Sequence, residues 1–179
     1  MLAALWQGPL VRLVPVGMVL LALQRSIFVE ITVAGVIIQV VLALAAAAGA
    51  AGGSERGAVA GFVLGLMYDM LEGLPLGSTA IAMTLAGAVA GLLALIVAEP
   101  HWWLAMLFTG LGAAVGEIMV PVVRLFTGAT DPFEQRLTLI VPVVAAAAAV
   151  LSPIFVPLAR WCLGIKRAEW VAPPRETPV

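Results

Sequence analysis

Residues 61–93 read GFVLGLMYDMLEGLPLGSTAIAMTLAGAVAGLL. Two apolar runs flank a short polar segment that holds two carboxylates, Asp69 and Glu72, followed by Gly73, Pro75 and Gly77. Extended to 57–72 and 78–98, the two runs approach the roughly 20 apolar residues that a membrane-crossing helix needs. Upstream, Gly57, Gly61, Gly65, Asp69 and Gly73 recur every fourth residue. At about 100° per residue such positions form a slowly turning ribbon on one side of a helix. In lipid, small residues at this spacing let two helix backbones approach and gain dispersion contacts. The stretch therefore predicts two helices in close contact, joined by a defined turn. Gly73 and Gly77 can take positive φ there, and Pro75 fixes φ between them.

The same pattern extends outward. Gly87 with Gly91, and Gly112 with Gly116, repeat the four-residue spacing in later apolar runs. Of the 179 residues, 63% are hydrophobic and 11% charged, and the mean hydropathy is +1.15. Soluble domains carry roughly a quarter charged residues, so the composition predicts an all-α integral membrane protein. A net charge of -1 leaves no basic stripe to neutralise nucleic-acid phosphates. A single cysteine, Cys162, has no internal disulfide partner. The first residues lack a basic n-region, which argues against a cleaved signal peptide.

Charges and turn formers divide the chain into about six spans, near 8–24, 31–50, 57–72, 78–98, 102–123 and 137–160. They make one transmembrane domain over residues 1–163, with an exposed tail at 164–179 where charges and prolines disfavour helix. Arg12 and Pro15 interrupt the first span. With a cytoplasmic N-terminus, Arg12, Arg56, Arg160, Lys166, Arg167 and Arg175 fall inside, against Arg25, Arg124 and Arg136 outside. That asymmetry predicts both termini on the cytoplasmic side of a plasma membrane. Trp102, Trp103 and Trp161 stand at span ends, where amphipathic rings favour the headgroup level.

Buried charge narrows the candidate site. An ionised carboxylate at the centre of a span costs about 2.5 to 3.5 kcal/mol, so Asp69 is expected to face protein and find a donor. Glu72, one turn later, reaches the outer interface. Glu117 is a second such acid, and Arg124 follows it by seven residues, on the same face. A polar cluster of Asp69, Glu117 and Arg25 or Arg124 is one expectation. The other is that each carboxylate is bonded separately, to backbone or to hydroxyls such as those of Thr79 and Thr84.

Catalysis has little to draw on. His101 is the only histidine, and beside Pro100 and two tryptophans it suits an interfacial anchor. No HExxH or cysteine pair exists for a metal. Ser78 and Ser152 have no buried histidine. Tyr68–Asp69 would need a second aspartate to share a proton, and Asp131 lies in a loop before Pro132. Neither an enzyme nor a cofactor is expected.

Gly65, Leu66 and Asp69, followed by Gly73, Pro75, Leu76 and Gly77, resemble the Gly-rich helix and P-L-G turn of the MreD family of bacterial rod-shape membrane proteins. The likeness is best over residues 50–95. It implies a fold similar to the substrate-binding components of vitamin (energy-coupling factor) transporters. It also implies a scaffold role in peptidoglycan elongation. The partners implied are the single-span periplasmic scaffold MreC, the actin-like filament MreB, and a glycosyltransferase paired with a class B penicillin-binding protein. Gly61, Gly65, Asp69, Glu72, Gly73, Pro75, Gly77 and Glu117 are the structural and partner-contact candidates, with Arg25 and Arg124 as possible ion-pair partners. The glycine faces leave a homodimer open.

The alternative is a vitamin-binding transporter component, which would show convergent polar and aromatic side chains. The expected outer loops offer mainly charged residues, and the chain has one tyrosine. A generic small transporter or channel would need a polar path, and Gln39 with two acids makes a thin one.

Overall fold

A computed structural model describes residues 9–28, 32–33, 35–73, 75–96, 102–126 and 137–165. Six α-helices run through the described residues: α1 (Pro9–Leu23), α2 (Val40–Gly52), α3 (Ser54–Glu72), α4 (Ser78–Ile96), α5 (Trp102–Phe126) and α6 (Leu137–Cys162). A π-helical turn, Gln24–Phe28, prolongs α1. A small antiparallel hairpin pairs β1 (Thr32–Val33) with β2 (Val36–Ile37). The architecture is a helical bundle, and three of its helices are long and apolar enough to cross a membrane: α4, α5 over Trp102–Val123, and α6. This fits a membrane-embedded protein.

The centre of the bundle is α2. Every residue from Val40 to Gly49 is buried, and a helix that is apolar all round belongs inside a protein or bilayer. Alanines at 45–48 keep it thin, so α3, α4, α5 and α6 all pack against it. The helix is shorter than the span expected over 31–50. Its thirteen residues extend about 20 Å, against a hydrocarbon core of about 30 Å. The missing turns are replaced by the hairpin. Gly35, at φ 77°, takes a left-handed turn open to glycine, and the β-branched Thr32, Val33, Val36 and Ile37 suit the short strands on either side.

α2 and α3 are joined through Gly53 alone, at φ 85°. Helix α3 accordingly begins at Ser54, three residues before the expected start. The most extensive helix pair is α3 with α4, and the glycine ribbon is its seam. A methyl group on Gly57 would strike the Gly87 carbonyl and Gly49, one on Gly61 the Met83 carbonyl, and one on Gly65 the backbone of Ala80. Gly91 lies as tightly against Ser54, and Gly112 and Gly116 against Ala86 of α4. Each glycine pair singled out by spacing thus lies at a close helix contact.

Trp102 and Trp103 open α5 and Trp161 closes α6, all three exposed. The expected segments at 97–101 and 127–136, which include His101, Asp131 and Arg136, lie outside the described residues, as does the tail beyond 165 with Lys166, Arg167 and Arg175.

Candidate functional site: a capped helical hairpin

The carboxylate of Asp69 is completely buried, and the turn that follows it folds back onto its side chain. Gly73, at φ 66°, ends α3 in the left-handed conformation, and its N–H donates to the Asp69 carbonyl. This closes the helix in the manner that favours glycine after a C-terminus. Pro75 then accepts from the Ser78 N–H at 3.1 Å. Gly77, at φ 99°, turns the chain so that the first amides of α4 point at Asp69. Positive φ at Gly73 and Gly77 is the geometry expected of the turn.

The amides at 77, 79 and 80 converge on that one side chain. The Gly77 N–H donates to Oδ2 at 2.9 Å and the Ala80 N–H to Oδ2 at 3.3 Å. The Thr79 N–H lies 3.0 Å from Oδ1 and 3.2 Å from Oδ2. The Ser78 hydroxyl donates to Oδ1 at 3.2 Å. The first amides of a helix have no intrahelical acceptor, and here Asp69, eight to eleven residues upstream, supplies one from the neighbouring helix. A negative group at the positive end of the α4 dipole adds to the stabilisation. Thr84 sits one turn further on, its hydroxyl donating to the Ala80 carbonyl at 2.6 Å. The separate-bonding expectation therefore holds for Asp69. Among the described residues Asp69 does not join the expected cluster with Arg25 and Glu117, because the amides of the turn and the Ser78 hydroxyl already donate to both its oxygens.

Arg25 pairs instead with Glu72, Nε to Oε1 at 3.2 Å and Nη2 to Oε2 at 3.3 Å. It also donates to the Leu71 carbonyl at 3.3 Å. The pair ties the π-helical turn after α1 to the last turn of α3. Its side chains are 56% and 28% exposed, so water screens it and it belongs with surface pairs of about 0 to 1 kcal/mol.

Glu117 is buried in α5, and Gln39 donates to it from Nε2 to Oε2 at 2.7 Å. Arg124 lies on α5, but its side chain is outside the described residues. Two glutamines the sequence reading left without a structural role complete the arrangement. Gln39 precedes α2, and buried Gln24 accepts the Val41 N–H at 3.1 Å, capping α2 from the start of the π-helical turn after α1. Their signal in the sequence is an amide at each boundary of an apolar run.

Among the described residues no buried side-chain nitrogen or oxygen lacks a partner, and no cluster of three His, Cys, Asp or Glu could hold a metal ion. The polar groups at this end of the bundle act as internal fasteners. What they leave outward is the turn itself, with Pro75 exposed and Leu76 71% exposed, carried on a rigid base. Comparison with family models, curated proteins and solved structures finds no match to the chain.

Proposed function

We propose that this chain is a non-catalytic membrane scaffold of the bacterial rod-shape system, similar in role to MreD. It would sit in the plasma membrane with six crossings, a fold like that of the vitamin-binding components, and both termini cytoplasmic. The observation that carries the reading is the use made of the residues behind the resemblance. Gly65, Asp69, Gly73 and Gly77 build a braced helical hairpin that holds Leu76 out at the bundle end. A fixed apolar knob on a rigid support suits docking of another protein, because little ordering entropy is lost on binding. On this reading the turn meets the periplasmic scaffold MreC, with MreB and the glycosyltransferase and penicillin-binding pair in the same assembly.

The vitamin-binding alternative is less well supported, since the acids and amides that would line a polar pocket are engaged with one another or with backbone. Purification from mild detergent, with mass spectrometry of proteins and small molecules, separates the two. The scaffold reading expects wall-synthesis proteins to co-purify, and expects Leu76→Arg to lose the periplasmic partner while the protein stays folded. Recovery of an energy-coupling ATPase module with a bound vitamin would replace it.

A further inference from the structure

At the end of the bundle opposite the capped turn, the start of α1 meets the end of α6. The Arg12 guanidinium lies over the Trp161 ring, 5.5 Å from its centroid, and donates to the Trp161 carbonyl at 3.4 Å. The Cys162 thiol, 3.9 Å from the Arg12 carbonyl, donates to it and pins the two helices together. Arg12 is exposed, and among the described residues no carboxylate lies within ion-pairing distance of it. Glu55 is the acid in the nearby first turn of α3, beside Arg56, and Arg160 adds a further cation to the last turn of α6. Among the described residues, only one of the five N–H donors of the Arg12 guanidinium is engaged, at the Trp161 carbonyl.

Below this corner the surface turns apolar. Pro15 and Val19 lie within about 60° of Arg12 around α1, and both are exposed. Pro157 and Ile154 lie within about 40° of Trp161 around α6 and are also exposed. α1 touches α6 only sparingly, and the two exposed apolar strips each run about 10 Å from the cationic corner toward the middle of the bundle.

We propose that Arg12, steadied by Trp161, holds the phosphate of an anionic phospholipid whose acyl chain lies along Pro15, Val19, Ile154 and Pro157. Guanidinium matches phosphate through paired, charge-assisted hydrogen bonds. The tryptophan belongs at headgroup depth, and the apolar strip gives the site a use for a chain that a free anion lacks. The proposal goes beyond the scaffold reading and needs only that the bundle lie in a bilayer.

The test is native mass spectrometry of the delipidated full chain in detergent, offered an equal mixture of phosphatidylglycerol and phosphatidylcholine with identical chains. The wild type should retain phosphatidylglycerol about fivefold more, as one basic side chain at an anionic surface implies. Arg12→Gln should bring the ratio close to one, and Arg12→Lys should keep part of the preference. Arg56→Gln, which removes a cation at the same end but not the one over Trp161, should behave as wild type. Val19→Trp, which puts bulk on the exposed apolar strip and leaves Arg12 in place, should lower retention of both lipids, and it decides the matter if Arg12→Gln does not fold. Equal retention by the wild type overturns the site, as does a wild-type preference in folded Arg12→Gln or undiminished retention in Val19→Trp. Displacement of the lipid by millimolar inorganic phosphate would assign the corner to free anions and overturn the lipid.

Discussion

Asp69 receives donors on both oxygens, and that decides how substitutions there should behave. Asn keeps the size and one acceptor oxygen, but its NH2 group would face amides that also donate. Leu removes both acceptors and leaves the buried Ala80 N–H and the part-buried Gly77 and Thr79 N–H groups without that partner, at about 1 to 3 kcal/mol for a buried group and less where water reaches. Thermal unfolding in detergent should therefore rank wild type above Asp69→Asn and Asp69→Asn above Asp69→Leu. Equal midpoints for Asn and wild type would mean that one oxygen suffices. The need for a partner was legible at this residue, because a charge in an apolar run must find one. The identity of the partner was less so: backbone amides carry no letter in the sequence, so backbone and hydroxyl groups and a visible arginine stood as two open expectations. Arg25 in fact serves Glu72, where an exposed cation can reach without giving up water.

Among the elements, the α3–α4 hairpin was the most legible, since a steric requirement writes itself directly as glycine at every fourth position. Gly61 and Gly65 face the Met83 carbonyl and the Ala80 backbone, neither of which can move aside as a flexible side chain would. Gly61→Leu and Gly65→Leu should each cut the yield of folded protein and lower thermal stability. Phe62→Ala, on a half-exposed neighbouring position, should do much less. Similar stability for all three variants would contradict the seam. Less legible was the segment before α2. Ile31 to Ile38 is as apolar as a span and also β-branched, so hydropathy and strand preference give opposite answers. Gly35, at positive φ, tips the balance toward the hairpin.

For the molecule as a whole, the Arg12–Trp161 contact places the start of α1 and the end of α6 at one end of the bundle. The Gly52–Gly53 junction lies at that end too, because Gly52 packs near Leu163 and Ile165. The turn at Gly73–Gly77 lies at the far end of α3. In a Cys162→Ser background, cysteines at Glu55 and Leu76 should react with impermeant thiol reagents from opposite sides of a sealed vesicle. The one at Glu55 should follow a cysteine placed in the tail near Glu176. Labelling of Glu55 and Leu76 positions from the same side would exclude a bilayer across the bundle. Composition alone made the membrane class legible. The buried, short α2 was not, because burial by protein and burial by lipid select the same residues.

Helix α3 carries Glu55, Arg56, Asp69 and Glu72 and is not among the helices apolar enough to cross a bilayer unaided. With its carboxylate uncapped it would be slow to leave water for lipid, whereas the amides of α4 supply the donors that Asp69 lacks. Biogenesis should then be pairwise, with α3 entering the bilayer only once α4 has been synthesised and the two have closed into a hairpin. Glycosylation mapping in microsomes would show this: residues 54–73 alone should insert poorly, residues 54–96 efficiently, and Asp69→Leu should uncouple the two by making α3 insert by itself. The residue that holds the finished protein together would thus also set the order in which its helices enter the membrane.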